Sequence, residues 1–145
     1  MNILHAMKIP CMVKVGSWNI RGLNDPLKQK EVRSVILANM FSLFGVVETK
    51  VRGENIQSTM AVCLPHSWKA VHCWKAVHNY TTGPVARIFL GWDSAVFSVS
   101  PVFTSDQLIV VEVDLIQDKR NFLLSVVYGH NRIGDRRSLW EDMSC

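Results

Sequence analysis

The amino-terminal part of the chain contains two apolar runs that each end in a polar side chain. The first run covers 12–19 and ends at Asn19, and the second covers 42–48 and ends at the carboxylate of Glu48. Runs of this length, rich in β-branched residues and followed by turn formers, are typical of buried strands. Because open α/β sheets expose their sites where strands end, Asn19 and Glu48 are candidate site residues.

Helical spacing follows each of these two runs. Asp25 can cap a helix whose first position is Pro26, where the missing N–H costs nothing. A second helix is predicted over 54–63, ending before Pro65. The residues predicted to face inward are Val32, Val35, Ile36 and Met40 in the first helix, and Ile56, Met60 and Cys63 in the second. This β-α-β-α opening favours a layered α/β fold over an all-β one.

The carboxyl-terminal part has the alternation of antiparallel strands. The predicted strands are 85–91, 95–99, 107–115 and 121–128. Pro101 is expected to separate the second of these from the third, and Asp118 and Lys119 to form a hairpin tip between the last two. A third helix is predicted to begin at 136, with Leu139, Trp140 and Met143 on one face. A meander of this kind after the βαβα opening suits an α/β sandwich.

A short tandem duplication precedes these strands. Residues 68–72 read Trp-Lys-Ala-Val-His, and residues 74–78 repeat them without change. We interpret the even spacing of His66, His72 and His78 as a by-product of this duplication rather than as a metal cluster. One strand holding both copies would exceed the usual length of about five or six residues. We therefore expect only one copy to occupy the sheet. We expect it to be the second, because residues 78–80 run directly into the turn before Val85.

Composition and length place the chain among globular proteins with one domain. Its 145 residues are 48% hydrophobic and 19% charged. The four cysteines show no Cys-x-x-Cys spacing, so neither a disulfide framework nor a structural zinc site is supported, and reduced intracellular thiols are the simplest interpretation. The chain has no apolar run of transmembrane length and no signal-peptide pattern at its start. We expect residues 1–11 to be a frayed upstream extension and 12–145 to form a partial domain.

Positive charge is concentrated near the two candidate residues. Residues 1–52 contain eight Lys or Arg against three Asp or Glu, which gives 8 − 3 = +5, while the whole chain carries +4. A basic face beside the site would suit a phosphate backbone. The alternative is a solvated helix face carrying Lys28, Lys30 and Arg33, and the sequence does not decide between the two.

The segments Ser-Trp-Asn-Ile-Arg-Gly-Leu-Asn at 17–24 and Val-Glu-Thr-Lys at 47–50 together resemble the endonuclease/exonuclease/phosphatase (deoxyribonuclease I-like) superfamily. The resemblance is strongest to the amino-terminal endonuclease of plant LINE-type (non-LTR) retrotransposons, and it extends to about Met143. It implies an α/β fold, namely the amino-terminal half of the four-layer α/β sandwich of that superfamily. It also implies intracellular, nuclear proteins that nick DNA.

The resemblance implies roles for seven residues of this chain. Asn19 and Glu48 match residues that hold Mg²⁺ (or Mn²⁺) in the family. Arg21, Asn24 and Lys50 stand where the DNA backbone would be bound. Tyr128 and Asn131 match by position a catalytic pair at the scissile phosphate, although Gly129-His130 replace the Ala-Pro that is commoner between them.

The family's later segments, a Gly-Asp-Phe-Asn strand end and a Ser-Asp-His motif, have no counterpart in this sequence. We therefore expect the chain to be a fragment of a metal-dependent DNA endonuclease that is inactive alone. The alternative is a non-catalytic retrotransposon remnant that binds nucleic acid weakly. A lipid or sugar-phosphate phosphatase is disfavoured by the LINE-like run at 17–23. We also expect most of the second sheet to be absent, which would expose one face of the first.

Overall fold

The computed structural model describes residues 3–9, 13–66, 73–80, 83–129 and 136–144, with the backbone alone for 3–9. The strands are β1 Ile3–Ile9, β2 Val13–Asn19, β3 Phe41–Arg52, β4 Trp74–His78, β5 Val85–Asp93, β6 Phe97–Thr104, β7 Leu108–Leu115 and β8 Asn121–Val127. The helices are α1 Pro26–Asn39, α2 Ile56–Cys63 and α3 Arg137–Met143, and a 3-10 turn at Gly53–Asn55 precedes α2.

The strands form two sheets. The first has the order β1-β2-β3-β5-β4, and the second has the order β6-β7-β8. Within the first sheet β2 and β3 are parallel and are joined through α1, whereas the other neighbours are antiparallel. The predicted α/β fold class is therefore confirmed, with two sheets and three helices in the described residues.

Strand β3 is buried on both faces, which explains why its sequence is a continuous apolar run. On one face, Phe44 and Val46 join a core formed with α1 and α2. On the other face, Leu43 and Val47 join a core formed with the second sheet. The layers therefore run helices, first sheet, second sheet, and β3 lies at their centre.

The expectation that one face of the first sheet would be left without a packing partner is wrong for the described residues. Ile109, Val111 and Val113 of β7 are fully buried against the first sheet, while Glu112 between them is exposed. The alternation of β7 is that of a half-buried strand, and its apolar side needs a second apolar surface. The inner face of the first sheet provides that surface, so the face expected to be exposed is covered.

Helix α1 begins at Pro26 as predicted, but it ends at Asn39, one residue before Met40, which the sequence predicts to face inward from the helix. Asp25 Oδ1 accepts a hydrogen bond of 2.9 Å from the backbone N–H of Leu27, and Pro26 is the first helical residue. Met40 caps the helix in a left-handed conformation (φ 57°) and is 76% exposed, so its prediction as an inward residue is wrong. Past the end of a helix the helical spacing no longer determines which way a side chain points.

The inward residues of α2 are confirmed: Ile56, Met60 and Cys63 are all buried. Burial raises the pKa of the Cys63 thiol to about 12, partly offset by the nearby charge of Arg33. Cys63 is therefore an uncharged core residue. Helix α3 differs from expectation, since Leu139 is buried but Trp140 and Met143 are both at least half exposed.

Two further segments differ from the sequence prediction. Pro101 does not separate two strands but lies inside β6, where the pairing with β7 shifts register between Pro101 and Phe103. Strand β6 is an edge strand, and edge positions and bulges tolerate a residue with no N–H to donate. The segment 3–9, expected to be frayed, instead pairs with β2 as the antiparallel edge strand β1.

The second copy of the duplication forms β4, as predicted. It pairs with β5 from Trp74 opposite Asp93 to His78 opposite Phe89. The first copy falls in 67–72, outside the described residues. Trp74 and Ala76 pack on the helix-side core and Val77 on the core between the sheets, as the alternation of a strand requires.

Asn79, directly after β4, explains why the second copy is the one that pairs. Its Oδ1 accepts from the N–H groups of Arg87 and Ile88 at 2.8 and 2.9 Å. Its Nδ2 donates to the carbonyls of Ser105 and Asp106 at 3.2 and 2.9 Å. This 5% exposed amide thus ties β5 to the β6–β7 turn. The first copy is followed by Cys73, whose thiol cannot make these four bonds.

We expect Asn79→Ala to lower the free energy of unfolding by about 3 kcal/mol or more, since each lost hydrogen bond is worth about 1 kcal/mol and each orphaned buried group costs more. Urea denaturation measures the change. Asn39→Ala is the matched control, because the Asn39 amide makes one hydrogen bond, to the Val35 carbonyl. Equal losses in the two variants would contradict the role given to Asn79.

Deletion of residues 67–72 is expected to raise the melting temperature, because it leaves a single copy in front of Asn79 and removes the competing register. Deletion of 73–78 is the matched control, since the product differs only in having Ser67 in place of Cys73. Differential scanning calorimetry should show both deletions more stable than the full chain. A lower melting temperature in both would contradict competition between the copies.

Candidate functional site

The ends of β2 and β3 lie side by side at one edge of the first sheet. The two strands are parallel, with Asn19 opposite Val47. Beyond the last pair, the N–H of Ile20 donates to the carbonyl of Val47 at 3.1 Å. Asn19, the last residue of β2, and Glu48, which comes after Val47 within β3, therefore have neighbouring backbones at this edge.

The backbones continue together past the strand ends. The N–H groups of Gly22 and Leu23 donate to the carbonyls of Glu48 and Thr49, each at 2.8 Å. The Asn24 side-chain amide then donates to the carbonyl of Lys50 at 2.9 Å. Asn24, assigned to DNA binding by resemblance, thus ties the two loops together through its Nδ2 atom. The loop geometry is fixed by hydrogen bonds at four successive carbonyls, from Val47 to Lys50.

A wide bulge interrupts β3 at the site. Val47 pairs with Ile88 and Val51 with Ala86, so the three residues 48–50 face the single residue Arg87 on β5. Within the bulge Glu48 and Lys50 have left-handed backbones, with φ of 60° and 52°. Each such residue costs about 1–3 kcal/mol, and strain of this kind is concentrated at functional sites. The sequence prediction ended this strand at 48 and missed the bulge.

The side chain of Asn19 has an unmet hydrogen-bonding need. Its Oδ1 atom is buried and has no hydrogen-bond partner among the described residues. Burying an acceptor without a donor costs about 1–3 kcal/mol. Such an atom is suited to accept a hydrogen bond from a water or to act as the ligand of an ion.

Glu48 supplies negative charge at the same edge. Its side chain is 15% exposed, and its Oε1 lies 3.8 Å from Nζ of Lys50, which is 56% exposed. An ion pair this long and this exposed stabilises little, so the carboxylate stays available. An amide oxygen and a carboxylate oxygen are the ligands that Mg²⁺ and Mn²⁺ prefer, so this donor set fits such a cation. Among the described residues no group of three or more His, Cys, Asp or Glu forms a metal cluster.

The basic residues near the site divide into two kinds. Arg21, with a left-handed backbone (φ 54°), and Lys50 are exposed beside the strand ends. Lys28 instead directs its ammonium at the carbonyls of Ile20 and Gly22, at 3.4 and 3.5 Å. Arg33 donates to carbonyls at the end of α2. Two of the three cations of α1 therefore bind the protein's own backbone.

Tyr128 lies at the end of β8 and is half-buried. Its N–H donates to the carbonyl of Gln107 at 2.8 Å, and its ring packs on the core between the sheets, which includes Val47. Asn131, its predicted partner, lies outside the described residues. The catalytic role of this pair stays a prediction.

Thr49 is a site residue that sequence reasoning missed. It is completely buried, and its Oγ1 donates to the carbonyl of Ala86 at 2.7 Å. The signal for it was the apolar Val51 that follows Lys50. A buried residue beyond the polar triplet indicates that the strand resumes after 48–50.

A groove among the described residues lies away from this edge. It measures about 520 Å³ and is lined by residues of α2, β4 and β6, including His66 and His78. Burial lowers the pKa of His78, and the Tyr80 N–H donates to its Nδ1, so His78 is a neutral acceptor at pH 7. None of residues 19–24 or 48–50 lines this groove. The edge that contains the buried, unpaired Oδ1 of Asn19 is therefore a better candidate for the functional site than this groove.

None of the described helices is both long enough and apolar enough to cross a lipid bilayer.

No protein-family model and no curated protein matches the chain. Among solved structures, the chain is similar to the crystal structure of the AP endonuclease LMAP from Leishmania major, with a TM-score of 0.62 and 12% sequence identity. The match covers 88% of this chain and 44% of that one, so the chain spans less than half of the solved structure. At this identity the similarity shows a shared deoxyribonuclease I-like fold.

Proposed function

We propose that this chain carries part of a divalent-cation site for the hydrolysis of phosphodiester bonds in DNA. Glu48 and Asn19 are the residues that hold the cation. The single observation that carries the proposal is the buried Oδ1 of Asn19, which has no partner among the described residues and whose backbone lies opposite Val47, the residue before Glu48. Without a cation or a water, the folded chain leaves this oxygen unsatisfied.

The residues around the strand ends have distinct roles in this proposal. A bound Mg²⁺ or Mn²⁺ would supply positive charge that neutralises the phosphate oxygens. Arg21 and Lys50, both exposed, attract the DNA backbone to the site. Tyr128 and Asn131 act at the scissile phosphate, a role that rests on the sequence resemblance.

Two independent similarities support DNA as the substrate. The sequence motifs at 17–24 and 47–50 resemble LINE-type endonucleases, which nick a DNA target site. The fold is shared with a protein named an AP endonuclease. We propose that the chain belongs to the LINE-type branch. In this proposal residues 12–145 are a piece of a longer endonuclease.

A second candidate is a non-catalytic domain that binds a cation and nucleic acid without cleaving. Among the described residues no three His, Cys, Asp or Glu side chains form a cluster that could hold a metal, and hydrolysis also needs a group that activates water. We propose that this chain alone binds the cation but cleaves DNA slowly.

Cation binding tests the site directly. We expect Mn²⁺ to bind the wild-type chain, as measured from the free Mn²⁺ signal in electron paramagnetic resonance. Glu48→Gln should lower the affinity for Mn²⁺ at least about tenfold, because even residues outside the ligand shell are worth about 10–100-fold in metal affinity. Asn19→Leu should also weaken binding, yet it should raise the free energy of unfolding without cation by about 1 kcal/mol, because a buried unpaired oxygen is removed.

Glu54→Gln is the control for the loss of charge, since Glu54 is exposed in the 3-10 turn before α2. It should bind Mn²⁺ like the wild type. Equal affinities in wild type, Glu48→Gln and Asn19→Leu would show that the cation does not bind at this edge.

Nicking of supercoiled plasmid in Mg²⁺ separates the two candidate functions. We expect little nicking by the isolated chain, because a missing general base typically costs about 10²–10⁴ in rate. Glu48→Gln is the control that identifies contaminating nuclease. Strong nicking that disappears in Glu48→Gln would show that the chain is a complete catalyst and would contradict the non-catalytic candidate.

A further inference from the structure

The bulge at 48–50 is held on its two sides by different kinds of hydrogen bond. On the β2 side, the carbonyls of Glu48 and Thr49 accept from the backbone of the loop after β2. On the β5 side, the regular pairing is interrupted between Val47 and Val51. The bond from Thr49 Oγ1 to the Ala86 carbonyl, 2.7 Å long, crosses this gap. A side chain therefore replaces the ladder where the strand departs from β5.

Thr49 stands between the two left-handed residues of the bulge. Glu48 on one side and Lys50 on the other have φ of 60° and 52°, a conformation that L-residues keep only where their surroundings impose it. A fixed position of Thr49 limits the backbone dihedral angles that Glu48 and Lys50 can adopt. Thr49 is suited to this because it is completely buried, and β-branched side chains have few allowed rotamers.

We propose that Thr49 is a positioning residue for Glu48. Its hydroxyl anchors the bulge to β5, which holds Glu48 in the left-handed conformation and aims the carboxylate at the strand edge beside Asn19. Removing the hydroxyl leaves the Ala86 carbonyl without this donor and lets the bulge relax. The inference rests on the proposed function for its link to cation binding, whereas its statement about the backbone of Glu48 stands independently.

Two substitutions separate the hydroxyl from the shape of the side chain. Thr49→Val keeps the shape and removes the donor, whereas Thr49→Ser keeps the donor and removes a methyl group. The first readout is the nuclear Overhauser effect between the amide proton and Hα of Glu48, which is strong at positive φ. It should fall to the level of an ordinary strand residue in Thr49→Val and stay strong in Thr49→Ser.

The second readout is the Mn²⁺ dissociation constant measured by electron paramagnetic resonance. It should rise by about tenfold in Thr49→Val and stay within about twofold of wild type in Thr49→Ser, the range expected for a residue that supports a ligand. Thr59→Val is the matched control, the same change at a buried threonine of α2. It should change neither readout, whatever its effect on the melting temperature.

Each outcome decides the inference. An unchanged Overhauser effect at Glu48 in Thr49→Val overturns it. A lost effect with unchanged Mn²⁺ affinity overturns the link between the bulge and the cation. If wild type does not bind Mn²⁺, the proposed function fails, while the Overhauser effect still decides whether Thr49 holds Glu48. If Thr49→Val does not fold, Thr49→Cys, a weaker donor of similar size, is measured in the same two ways.

Discussion

The pairing of β3 with neighbours on both edges is the constraint on which the rest of the structure depends. Parallel β2 lies on one side and antiparallel β5 on the other, and each face of β3 is covered by a separate core. Both faces of this strand are buried from Leu43 to Val47, so its first charged side chain is that of Glu48. The pairing stops at the bulge 48–50, and the candidate site lies there.

The two sheets depend on each other through apolar packing and through one buried amide. The core between them joins β7 to the inner face of β3 and β5, which covers an apolar surface that would otherwise be exposed to water. Asn79 adds four directional hydrogen bonds between β5 and the β6–β7 turn. Because Asn79 directly follows His78, its bonds to the N–H groups of Arg87 and Ile88 fix the end of β4 against β5.

At the candidate site, the backbone groups and the side chains differ in whether they have hydrogen-bond partners. The carbonyls of Val47 to Lys50 all accept hydrogen bonds from the loop after β2, so the backbone there is well fixed. The Asn19 Oδ1 atom beside this frame has no partner among the described residues. Because this backbone needs little further ordering on binding, the proposed ligand residues Asn19 and Glu48 are carried on a preorganised frame.

The sequence by itself determined where β2 ends, how α1 is capped and which face of α2 is buried. Two apolar runs ending in Asn19 and Glu48 predicted a shared sheet edge, and Asp25-Pro26 predicted the start of α1, because these signals depend on neighbours within a few residues. Tertiary structure decided the covered second face of β3, the place of Pro101 within an edge strand and the bulge at Thr49. It also supplied the physical reason why the second copy pairs with β5. The sequence predicts that copy from its place beside the turn before Val85, and the buried Asn79, whose partners lie 8 to 27 residues away in the chain, fixes it there.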